Sequence, residues 1–64
     1  MENAQNVAQV LQGLALAREI VERTGVRDPD ALRRAAEQVE RLASSDLERA
    51  VAAGFRAIAA EERR

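Results

Sequence analysis

The chain has no cysteine and no histidine among its 64 residues. Without cysteine there is neither a disulfide framework nor a thiolate metal site, and the redox state of the compartment leaves no mark on the sequence. The missing histidine removes the commonest zinc ligand and general base, so any chemistry would fall to carboxylates, hydroxyls and arginine. Lysine is absent as well, and every cation is an arginine. No apolar run approaches the ~18 residues that a membrane span requires. The leading "MENAQN" lacks the basic region of a secretory signal. Together these absences predict a soluble, unprocessed protein of unknown compartment, cytoplasmic if natural or as expressed, with no cofactor, no metal, no catalytic group and no small-molecule ligand.

Charge is missing from one region in particular. The chain carries 10 basic and 11 acidic residues, a net charge of −1, which offers no overall attraction to nucleic acid or an anionic membrane. Only Glu2 lies within the first 17 positions, where the polar residues are instead the amides Asn3, Gln5, Asn6, Gln9 and Gln12. Uncharged amides cost less to desolvate than ions, so this stretch is the one a partner covers most easily.

What is present is helical periodicity. From about 3 to 23, Ala4, Val7, Leu11, Leu14 and Val21 recur at the three-to-four spacing of an amphipathic helix, with Val10 and Ala17 beside them. "TGVRDPD" ends that helix and starts the next: Gly25 suits a left-handed stop, Val26 can pack back on the last turn, Asp28 is an N-cap and Pro29 fits the first helical position. A second helix over 29–43 has Leu32, Ala35, Ala36, Val39, Leu42 and Ala43 on one face. Its other face holds the pairs Asp30 with Arg34, Arg33 with Glu37 and Glu37 with Arg41. Ser45 followed by Glu48 reads as a capping box for a third helix over 46–62. The inner face of that helix is expected at Leu47, Ala50, Val51, Gly54, Ala57 and Ile58, with Phe55 at the edge and Ala52, Ala53, Ala59 and Ala60 outside.

Three helices joined by short connections predict an all-α fold, a single three-helix up-down-up bundle spanning 1–64. The helices differ in length, so the first two turns of helix 1 should overhang, leaving Ala4, Val7 and Val10 without intrachain cover. A chain this short exposes much surface for its volume, and its core must be efficient or shared.

Surplus apolar surface is the main functional signal. Leu16 and Ile20 lie one turn apart on the side of helix 1 away from the Val7, Leu14, Val21 stripe, next to the small residues Gly13 and Ala17. Val7, Gly13, Leu16, Ala17 and Ile20 are therefore the expected self-association interface, and the expected partner is another copy of the chain in a helical homo-oligomer. Arg18 interrupts the stripe, and its guanidinium needs an acceptor; Glu61 is the expected ion-pair partner, with Glu22 as the alternative. Arg49, Arg56 and Arg63 form a row on helix 3, spaced by sevens. Alanines flank the row and no base-reading neighbour accompanies it, so a solvated or salt-bridged face is expected rather than a nucleic-acid site. The acidic neighbours Glu61 and Glu62, and Asp28 and Asp30, sit at helix ends and caps, where carboxylates have structural reasons to occur.

The segments "DPDALRRAAEQVERLA" and "SSDLERAVAAG" resemble computationally designed helical bundles in their acidic cap before a proline-initiated helix, paired Arg and Glu outside, Ala and Leu inside, and abrupt joints. The resemblance covers roughly residues 18 to 64. It implies a structural, self-assembling protein with no catalytic activity. "REIVERTGVRD" is also similar to the three-helix albumin-binding modules of bacterial surface proteins. The other class of function consistent with the pattern is a natural helical protein–protein interaction module.

Overall fold

The computed structural model of the protein describes the backbone of residues 2–62 and the side chains of residues 7–62. It is all-helical, with α1 at Glu2–Thr24, α2 at Pro29–Leu42 and α3 at Asp46–Glu62. Among the described residues no helix is long and apolar enough to cross a membrane.

Local hydrogen bonding accounts for both joints. Gly25 adopts φ +75° and its N–H donates to the Val21 carbonyl at 2.8 Å, closing α1 with a left-handed residue that a side chain would strain. The Thr24 hydroxyl donates to the Ile20 carbonyl at 3.0 Å. Val26 stays 40 % exposed, so it does not pack back on the helix as expected. The Asp28 carboxylate accepts the Ala31 N–H at 3.1 Å, and Pro29 opens α2. At the second joint the Glu48 N–H donates to Ser45 Oγ at 3.2 Å. The returning half of the capping box is shifted by one residue: the Glu48 carboxylate accepts the Ser44 N–H at 2.6 Å and the Ser44 hydroxyl at 3.0 Å. Those two donors hold its carboxyl below the ordinary carboxylate value.

The order of contacts sets the directions of the helices. Gly13 meets Ala50, Ala17 meets Gly54, and Arg18 reaches Glu61, so α1 and α3 run parallel. Arg27, in the α1–α2 joint, pairs with Glu62 at 3.5 Å and pins that joint to the C-terminal end of α3. α2 therefore carries the chain back along α3. No Cα of α1 comes within 8 Å of one in α2 among the described residues, whereas both helices pack on α3. The third helix is thus the centre of the molecule.

That position explains where the side-chain expectations fail. At about 100° per residue the buried positions of α3 run from Ala50 through Gly54, Ile58, Phe55 and Ala59 to Ala52, an arc of roughly 200°. A helix with one neighbour buries about half of that, whereas α3 has two. Phe55, expected at the edge, is only 4 % exposed; Ala52 and Ala59, expected outside, are 0 % and 1 % exposed. Ala57, expected inside, is exposed with Ala53 and Ala60. The core joins Ala17 and Val21 of α1, Leu32 and Ala36 of α2, and Ala52, Phe55, Ile58 and Ala59 of α3, with Leu14, Val39 and Val51 packed against it. No polar or charged side chain is buried among the described residues.

Candidate interaction surface

The seam between α1 and α3 is built on two glycines. A methyl group on Gly13 would lie 2.5 Å from both the carbonyl carbon and the Cβ of Ala50. One on Gly54 would lie 2.9 Å from Leu14 Cα, 3.0 Å from Ala17 Cβ and 3.1 Å from the Gly13 carbonyl oxygen. Real Cβ atoms do not tolerate approaches of 2.5 Å, so the backbones are close because side chains are missing on both sides. This corrects the expected interface at two positions. Gly13 and Ala17 do not face outward toward another chain, because α3 of the same chain occupies that side and leaves Ala17 with 0 % exposure.

The remaining residues of that set, Val7, Leu16 and Ile20, are 58 %, 37 % and 43 % exposed. Two further apolar residues expected in the core join them at the surface: Leu11 at 60 % and Leu42 at 76 %. With Gly13 at Ala50 and both helices rising about 1.5 Å per residue, Asp46 at the start of α3 stands beside roughly residue 9 of α1, so Val7 lies on the stretch without α3 alongside. Val10, level with the first turn of α3, is 54 % exposed. Leu11 lies about 160° around α1 from Gly13 and so off the seam. The Ala4 side chain lies outside the described residues. Leu42 is the last residue of α2, where the chain is already leaving the helix.

Among the described residues six ion pairs lie on the surface. The Arg18 guanidinium lies 3.7 Å from the Glu61 carboxylate, both side chains more than half exposed. Arg23 pairs with Glu19 at 3.1 Å. Arg33 pairs with Asp30, three residues back, rather than with Glu37 as expected. In the arginine row, Arg49 pairs with Asp46 at 2.9 Å and Arg56 with Glu40, so neither presents an uncompensated charge; Arg63 lies outside the described residues. The Arg56 hydrogen bond and charge hold the Glu40 carboxyl below its ordinary value.

A shallow depression of about 140 Å³ lies between the C-terminal ends of α1 and α3, with Val21 and Ile58 among its lining residues. The pairs Arg18–Glu61 and Arg27–Glu62 line it as well, so its cations are already matched by carboxylates. Among the described residues no group of three or more carboxylates is placed to hold a metal ion. The feature without a covering element is apolar: among the described residues five of the seven exposed large hydrophobic side chains, Val7, Val10, Leu11, Leu16 and Ile20, belong to α1. Comparison with protein-family models, with curated proteins and with solved structures finds no match to this chain.

Proposed function

We propose that the chain acts by associating with copies of itself through α1, as a structural helical protein with no catalytic role. The observation that carries this reading is the concentration of exposed large apolar side chains on α1, in a chain whose first 17 residues hold a single charged side chain. Single exposed leucines are ordinary on a protein surface, but Val7, Val10 and Leu11 adjoin on one side of α1 and Leu16 and Ile20 on another, apolar patches of the kind that mark association. The core supports the same reading. Among the described residues five of the nine buried apolar side chains are alanines, Ala17, Ala36, Ala50, Ala52 and Ala59, so little apolar area is gained within one chain.

Light scattering across a dilution series tests the proposal. The expected result is a mass that is a multiple of 7.0 kDa and falls on dilution. A 7.0 kDa species at every concentration up to about 1 mM, where even very weak association would register, overturns it. An α1 face that becomes protected only when a different protein is added would assign the chain to heterologous binding instead.

A further inference from the structure

Resting on that reading, we infer that two copies meet at the end of the molecule where α3 begins, their α1 helices antiparallel across a two-fold axis near Val10 and Leu11. Among the described residues the four most exposed large apolar side chains are Leu42 at 76 %, Leu11 at 60 %, Val7 at 58 % and Val10 at 54 %. All four lie at one end. α1 is parallel to α3, so its N-terminal half emerges where α3 starts, and α2 finishes at the same place. Val7, Val10, Leu11 and the partly buried Leu14 follow the three-and-four spacing that makes a continuous stripe on a helix. Leu16 and Ile20 are less exposed, at 37 % and 43 %, and the charged Glu19 and Arg23 stand one turn beyond them. Both sides end one turn before an ion pair, Glu19–Arg23 there and Arg18–Glu61 beyond Leu14, so it is the greater exposure of Val7, Val10 and Leu11 that favours their stripe.

The surface area points to a second copy as the occupant. A compact monomer of 7.0 kDa exposes about 4,000 Å². This chain exposes 4767 Å². The chain covers less of its own surface than a compact monomer of its mass does, and a second copy of the same helix can supply the missing cover. A two-fold contact also requires a patch that complements itself, and an apolar stripe without charges meets that requirement with no opposite charges to pair. In the antiparallel arrangement Val7 of one copy lies by Leu14 of the other, and Val10 lies by Leu11.

The absence of native cysteine makes the test direct. In the full chain, Val10→Cys places one thiol next to the proposed axis and Ile20→Cys places one on the alternative face. Under mild oxidation Val10→Cys should form a disulfide-linked dimer that Ile20→Cys does not. By light scattering Leu11→Glu should halve the mass while circular dichroism shows the helices retained, and Leu16→Glu should leave the mass unchanged. If Leu16→Glu dissociates the assembly and Leu11→Glu does not, or if Ile20→Cys cross-links in preference, the proposed axis is wrong and self-association stands. A wild-type chain that is monomeric throughout overturns both.

Discussion

Gly13 and Gly54 face one another across the α1–α3 seam, and the Cβ position of each is taken by the other helix. In an isolated helix a glycine costs about 1 kcal/mol relative to alanine, so propensity alone says that Gly13→Ala stabilises the protein. The seam reverses that sign. A methyl group 2.5 Å from the Ala50 backbone forces the helices apart, and overpacking of this kind costs about 1–3 kcal/mol. Thermal unfolding should show Gly13→Ala melting below wild type, and Gly54→Ala melting lower as well but by less, since its approaches of 2.9 to 3.1 Å are milder. A rise in Tm for Gly13→Ala would show that the seam is looser than described.

Leu32 is the largest fully buried side chain, 2 % exposed, and it links α2 to the core cluster. Truncation to alanine leaves a cavity and should cost about 2–5 kcal/mol, enough to unfold much of the population of a chain this small. Val26→Ala, at a position 40 % exposed, should change stability by no more than about 0.5 kcal/mol. Urea titration followed by circular dichroism compares the two directly.

The α2 N-cap is a local device with a local cost. Asp28 satisfies the Ala31 N–H from its carboxylate, and alanine at that position leaves the donor to water. Asp28→Ala should lower stability by about 1 kcal/mol, and Asp28→Ser or Asp28→Asn should recover most of it. Melting curves of the three variants check the ranking.

Stability should fall in acid, and Glu48 and Glu40 fix the sign. The Ser44 N–H and hydroxyl stabilise the ionised Glu48, and the Arg56 hydrogen bond and charge stabilise the ionised Glu40, so both folded pKa values lie below the ordinary one. The unfolded chain then binds protons first as pH drops, which makes stability rise with pH in that window. The contribution is complete above the ordinary carboxylate value and is lost as pH falls through the lowered folded values. Melting temperatures from about pH 6 to about pH 3 should decline, and Glu48→Gln should flatten the slope. A slope unaltered in Glu48→Gln would assign the acid sensitivity to other carboxylates.

The Arg18–Glu61 pair should contribute little despite linking the two long helices. Its groups are 3.7 Å apart with side chains 57 % and 65 % exposed, and exposed pairs of this kind are worth about 0–1 kcal/mol and are screened by salt. A double-mutant cycle with Arg18→Ala and Glu61→Ala should give a coupling within that range, smaller at high ionic strength.

The sequence alone determined where the helices start and stop, because those signals act over a few residues. Gly25 has to take a positive φ, Asp28 and Pro29 begin a helix wherever they sit, and Ser45 caps the next one; the expected bounds 3–23, 29–43 and 46–62 lie within one residue of those observed. The pairing of Arg18 with Glu61 was also accessible, since two parallel helices bring those positions to the same end. Which apolar residues are covered was decided only by the tertiary structure. Periodicity places Leu11 and Leu14 on the same stripe, but Leu14 lies about 100° and Leu11 about 160° around α1 from Gly13, so the seam with α3 covers part of Leu14 and leaves Leu11 exposed. Ala52 and Ala57 look equivalent as alanines, yet one is buried and the other exposed, because α3 is covered from two sides. The small residues Gly13 and Ala17 carry the same ambiguity: their spacing announces a close helix contact without saying whose helix. A helical repeat of 3.6 residues gives direction around one axis, whereas burial depends on the offset, rotation and crossing of two helices, and no single segment encodes those.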